Sequence, residues 1–315
     1  MPDSHLLETV GPATHGKRSR REGGEYVHQS LWGNPRSRLG SCWLLAMVII
    51  AIAAPWVARY SPAAQDVLNP FGSPSWEHWL GTDDLGRDVW SRLVYGTRAS
   101  MQASLIAVGI AIGLGVPIGL VAGYKGGWLD TILMRIVDTV LSFPGIVLAI
   151  GITAALGTGL VKAMIAVGVV FAPSLARVSR GQVLATKERG YVDAAVSFGS
   201  PSARTLIRHI IPNSIQPVIV QATFMLGLAM LAEASLSFVG LGVQYPDPSF
   251  GVMLRRAAQF ISRQPGAVYP PGLAIALTVW AFNTLGDSIR DTFDPRTNTH
   301  RRLERAARRD HRQNA

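Results

Sequence analysis

The sequence predicts an all-α fold, a polytopic helical membrane protein with six transmembrane helices. Three observations lead there. Residues 40–58, 100–124, 139–161, 214–232 and 264–286 hold no Asp, Glu, Lys or Arg, and each approaches the ~20 residues that carry a helix across a bilayer. Charged residues make up only 16% of the 315, against 48% hydrophobic, less charge than a soluble domain of this size carries. The basic residues are also segregated. With six alternating spans and an inner N-terminus, 22 of the 30 Lys and Arg fall on the inner side, the asymmetry of the positive-inside rule. Both termini are therefore expected in the cytoplasm. The formal charge of +10 reads as topology rather than nucleic-acid binding.

Residues 1–38 are polar, with mixed charge and no apolar periodicity, and are expected to form a disordered cytoplasmic tail. Within it GPATHGKR, Gly11 to Arg18, imitates a phosphate loop. Arg18 replaces the Ser or Thr that would hold magnesium, and no strand precedes the loop. Residues 39–58 form the first transmembrane helix. A 38-residue preface to a 19-residue apolar run fits a retained anchor rather than a signal peptide. Its Cys42 is the single cysteine; it cannot close an intrachain disulfide and reads as a small core residue.

Residues 59–99 are expected as an extracytoplasmic loop. SPAAQDVLNPFGSPSWEHW is rich in turn-formers. In DDLGRDVWSRLVYGTRAS the spacing of Leu85, Val89, Trp90, Leu93 and Val94 suits an interfacial helix, with Trp90 and Tyr95 at headgroup depth. A solvated lead-in to the second span is the other reading.

Residues 100–290 form a five-helix core. Span two carries Gly109, Gly113, Gly115, Gly119 and Gly123, small residues that let helix backbones approach closely. Gly126 and Gly127 suit a tight inner turn. Pro144, Pro173 and Pro217 are expected to kink their helices. Arg135 and Asp138, three apart on one face, are expected to pair. Residues 163–176 make a shorter span whose flanking Lys162 and Arg177 snorkel to the interfaces.

The inner segment 186–213 is different in kind. Tyr191 to Phe198 predicts two helical turns, Gly199 a break, Ser200 an N-cap with Pro201 at the first helical position, and Pro212 a stop before span five. A short amphipathic helix held at both ends by spans moves as a rigid body, so a partner that grips it moves the spans. The alternative is a loop resting on the bilayer. At the outer end of span five, Glu233 has no basic neighbour in sequence. It reads either as a pathway or gate residue, with Ser235 and Ser237, or as an acceptor for backbone groups of ASLSFVGLG. Residues 291–315 form a basic cytoplasmic tail.

Chemistry of the catalytic kind finds no support. The seven histidines show no metal-ligand spacing, and no nucleophile sits in a recognisable setting. Neither enzymatic activity nor a bound cofactor or metal is expected of this chain.

The inner segment also carries a resemblance. DAA, Gly199 four residues after Ala195, and IIP ending at Pro212 resemble the EAA loop of binding-protein-dependent ABC importer permeases. LGTDDLGRDVWSRLVYGTRAS, AGYKGGWLDTILMRIVD, RHIIPN, EASLSFVGLG and LGDSIRDTFDPR narrow the likeness to the C-type permease subunit of dipeptide and oligopeptide transporters, over roughly residues 35–296. That resemblance implies a type I ABC importer permease fold in the cytoplasmic (inner) membrane. It also implies a second, B-type permease, two cytoplasmic ATPase subunits holding ATP and magnesium, an extracytoplasmic solute-binding protein and a peptide substrate. Nickel, glutathione or a glycoside are the alternative cargoes, and a secondary transporter is the more distant one. Carried over, Asp193, Ala194, Ala195 and Gly199 belong to the coupling helix that meets an ATPase, and Pro212 fixes the return into the membrane. Asp193 departs from the usual Glu, His209 from the general Ile, and Phe250 from the common Trp.

Overall fold

The computed structural model describes residues 35–293. Ten α-helices in chain order are α1 (Pro35–Val57), α2 (Val89–Lys125), α3 (Gly127–Leu141), α4 (Gly145–Leu156), α5 (Leu160–Lys187), α6 (Gly190–Ser197), α7 (Ser202–Thr205), α8 (Ile211–Val239), α9 (Phe250–Gln259) and α10 (Tyr269–Phe293). A π-helical turn, Leu206–Ile210, joins α7 to α8, and a 3₁₀ turn, Pro265–Val268, leads into α10. Five helical stretches are long and apolar enough to cross a membrane, and six if α3 and α4 together make one broken span. The expected tails 1–38 and 291–315 lie mostly outside the described residues, although α1 begins at Pro35 and α10 reaches Phe293.

Several boundaries differ from expectation for physical reasons. The amphipathic run after Asp88 is the first part of α2 and not a separate interfacial helix. Asp88 caps it by accepting from the Ser91 amide at 2.7 Å, and the helix runs 37 residues to Lys125 with Pro117 inside it. At 1.5 Å per residue α2 is roughly 55 Å long, so it extends past the ~30 Å hydrocarbon layer. The run expected as one span at 139–161 is bent by 92° between α3 and α4. Pro144 lacks an amide hydrogen and pushes Phe143 out of helical geometry. α5 outlasts its 163–176 apolar stretch, because the helix runs on through Arg177 to Lys187. Pro212 does not end a helix. The Ile211 amide reaches the Leu206 carbonyl five residues back, and this wider turn admits the proline so that Ser202–Val239 continues as one 38-residue stretch.

Packing follows the glycines only in part. A Cβ on Gly115 would meet the Ala172 carbonyl oxygen at 2.3 Å, and one on Gly119 would meet that of Ala176 at 2.3 Å. With Gly123 against Val183, these form the seam that joins α2 to α5. Gly109 and Gly113 face open space instead. One apolar core gathers Ala107, Met164, Val167, Leu175, Met225 and Leu236 from α2, α5 and α8. A second gathers Leu44, Met47, Met230, Phe250, Ile275 and Phe282 from α1, α8, α9 and α10. Asp138 pairs with Arg177 at 2.6 Å rather than with Arg135, and Asp130 takes both nitrogens of Arg180 at 2.5 and 2.6 Å. These pairs fasten α3 across to α5. Cys42 is exposed on α1, outside the core that was expected to hold it.

Candidate functional site

One end of the bundle presents α6 as a separate short helix. Its single buried residue, Val192, sits with Val183 and Ile210 against Leu120, Tyr124 and Leu206. Hence α6 is pinned at once to α2, α5 and the π turn. Lys187 donates to the Tyr124 carbonyl at 2.9 Å, and the Thr186 and Ser214 hydroxyls meet at 3.1 Å, tying both flanks of the segment together.

The remaining faces of α6 look away from the bundle. Asp193 and Ala194 are exposed and Ala195 is half-buried. Phe198 is 92% exposed, with Val196, Tyr191 and Ile207 also open. Adjoining large apolar side chains left in the open mark an interaction surface. Arg204 and Arg208 are exposed on the same segment. Sequence reasoning did not single out Phe198 or Val196; the signal was their place on the outward side of an eight-residue helix that buries only Val192.

Gly199 ends α6 with φ at +77°, in the left-handed region that favours glycine. The Ser200 amide bonds the Ala195 carbonyl at 3.0 Å and the Gly199 amide bonds Val196 at 2.9 Å, the paired bonds of a Schellman cap. Nothing lies within 4 Å of a Cβ built at Gly199, so backbone geometry, and not crowding, selects glycine. Ser200 is not the N-cap of the next helix. Pro201 holds that position, and the Ser200 hydroxyl is buried with no hydrogen-bond partner. Pro212 is exposed in the first turn of α8, at the base of the span.

Glu233 lies at the other end of α8 and is fully buried. Its Oε2 accepts from the Ser100 hydroxyl at 2.9 Å and Oε1 from the Ser237 hydroxyl at 2.7 Å. Ser237 in turn accepts from the Val243 amide at 3.0 Å, and Ser100 lies 3.5 Å from the Phe250 amide. The carboxyl group thus ties α2, α8 and the lead-in to α9. Both carboxylate oxygens are taken by hydroxyls, and a backbone amide in this cluster, that of Val243 beyond ASLSFVGLG, bonds Ser237 rather than Glu233. Ser235 turns away and donates to the Leu231 carbonyl at 2.8 Å, so the three residues do not converge. Phe250, where a Trp is common, is buried beside Gly96 of α2.

Above this, the outer loop is held by charge. Thr82 is buried, donating to the Asn69 carbonyl at 2.6 Å and accepting from the Gly72 amide at 2.7 Å. Arg87 and Arg92 are buried, and Asp83 lies 2.7 Å from Arg87 and 3.5 Å from Arg92. Asp84 bonds Arg256 of α9. Tyr245 has the Arg87 and Arg256 guanidinium groups over its ring, each 5.4 Å from the centroid. Buried ions persist only when paired, so this lattice fixes the loop to α2 and α9. The spacing DDxxRD carried that signal in the sequence. Among the described residues no group of three or more His, Cys, Asp or Glu side chains is placed to hold a metal ion.

Residues 115–299 match the model of the family described as binding-protein-dependent transport system inner membrane component. Residues 25–74 match the N-terminal transmembrane domain of oligopeptide transport permease C. The dipeptide transport system permease protein DppC of Alkalihalophilus pseudofirmus is 43% identical over 263 residues, spanning 84% of this chain and 86% of that protein. The glutathione transport system permease protein GsiD of Escherichia coli O6:K15:H31 is 41% identical over 255 residues, spanning 81% of this chain and 84% of that one. Among solved structures, an inward-facing form of the MetNI methionine ABC transporter superposes with a TM-score of 0.55 at 18% identity, covering 64% of this chain and 96% of its own. The last likeness speaks for the fold, which is that of an ABC importer permease.

Proposed function

Because the chain belongs to the binding-protein-dependent transport system inner membrane components, in the oligopeptide permease C branch, we propose that it is one of two permease halves through which an ATP-driven importer passes di- and oligopeptides. Its partners are a B-type permease, two cytoplasmic ATPase subunits and an extracytoplasmic solute-binding protein. It sits in the cytoplasmic membrane with both termini inside, binds no cofactor, and performs no covalent chemistry. ATP and magnesium belong to the ATPases.

The observation that carries this reading is α6. It is a short helix whose one buried residue is locked to two spans while Asp193, Ala194 and Phe198 stand free. An ATPase that grips Phe198 and Val196 moves α6, and Val192 and the π turn pass that motion to α2, α5 and α8. Closure of the ATPase pair would draw the two coupling helices together and open the pathway outward; hydrolysis would reset it. Glutathione is the second cargo to consider, favoured by the 41% identity to GsiD proteins.

The test is proximity in the assembled complex. With Cys42 replaced by Ser and a single cysteine at Ala194, a short bifunctional reagent is expected to join this chain to an engineered cysteine on the ATPase, with yield that changes between ATP-bound and nucleotide-free states. No joining in any nucleotide state removes the coupling assignment.

A further inference from the structure

We propose that the outer mouth of the bundle holds a subsite for the two charged ends of a short peptide, with Arg98 taking the carboxylate and Asp247 the ammonium. The inference rests on the peptide reading above and deepens it.

A cavity of about 510 Å³ opens between α2, the turn joining α4 to α5, and the turn that follows α8. That size falls within the roughly 300–1,000 Å³ of small-molecule sites. Tyr95, Arg98 and Gln102 of α2 line one wall, three and four residues apart on one helix face. Gln244 and Asp247 line the opposite wall. Gln244 is held in place by donating to the Gly240 and Gly242 carbonyls at 3.1 and 2.9 Å.

Three outer arginines, Arg87, Arg92 and Arg256, are engaged against Asp83 and Asp84. Arg98 and Asp247 are the contrast. Both are exposed and line this cavity, Arg98 and Gln102 also lining a second one of about 360 Å³ against α1, and among the described residues neither makes an ion pair with another side chain. Opposite charges that share a cavity but stay apart fit a guest bearing both signs on separate atoms. An extended dipeptide separates its terminal groups by about 7 Å. A guanidinium offers a carboxylate two parallel hydrogen bonds.

The complete importer, reconstituted with its ATPases, B-type permease and binding protein, is loaded with radiolabelled Ala-Ala. Arg98→Gln is expected to raise the transport KM about tenfold, the scale of a lost charged hydrogen bond, while the maximal rate changes less. Arg98→Lys is expected to recover most of it. In a Cys42→Ser background, millimolar Ala-Ala is also expected to slow alkylation of Gln102→Cys in the outward-open complex. If wild type moves Ala-Ala but Arg98→Gln leaves KM within twofold and Gln102→Cys is not protected, the subsite is wrong and the peptide reading stands. If wild type moves neither Ala-Ala nor glutathione, both are overturned.

Discussion

At the scale of single residues, backbone geometry explains more than contact does. Gly199 was readable in the sequence as a break, and its φ of +77° gives the reason. A side chain there has open space and a disfavoured backbone, so Gly199→Ala is expected to cost about 1 kcal/mol and Gly199→Asn less. Both variants are expected to insert normally and to keep most uptake. Gly199→Trp adds bulk on the exposed docking side and is expected to abolish ATP-coupled uptake; vesicle uptake assays and thermal unfolding in detergent separate the two effects. Ser200, by contrast, looked like a cap in the sequence because Ser followed by Pro is the usual local pattern. The following helix starts one residue later and leaves its hydroxyl buried and unpaired. Asp138 was likewise assigned to Arg135 by local spacing, and it reaches Arg177 on another helix. Local rules find what a residue is able to do, and the tertiary neighbour decides.

At the scale of elements, the apolar blocks were legible because desolvation forces every backbone group in a span into helix. Their ends were not, since helices outlast the lipid. The charge-free stretch of α2 stops one residue short of Lys125 but begins eleven residues inside the helix, and α5 runs eleven residues beyond Ala176, so each stretch marks one end only. The π turn at Leu206–Ile210 was also hidden, as Pro212 alone reads as a stop. Glu233 shows what joins elements once they exist. Glu233→Ala would leave the Ser100 and Ser237 hydroxyls without their acceptor, an expected loss of about 1–3 kcal/mol. Glu233→Gln keeps one acceptor oxygen and is expected to cost less. Thermal unfolding of the purified complex ranks them. If Glu233→Ala is as stable as wild type, the join between α2, α8 and α9 is not made by this carboxyl group.

At the scale of the molecule, the charge asymmetry calls for six spans, a path that counts α3 and α4 as one broken span. A reporter fused after Gly199 is expected to signal cytoplasm, and a cysteine at Asp247, in the Cys42→Ser background, to be labelled from outside by an impermeant reagent. External labelling near Gly199 would overturn the six-span path, with the α3–α4 bend the first place to look. The long helix α2 then takes on a further meaning. It touches the Val192 cluster through Leu120 and Tyr124 and carries Asp88 at its crown, while its close contact with α5 runs from Ala107 and Ile110, against Gly168, down to Gly115, Gly119 and Gly123. By the rise of an α-helix, the stretch from Ala107 to Gly123 is roughly 24 Å long. Held along that length, the rod has no single fulcrum, so a push at its foot carries α5 with it and the two helices travel as one beam.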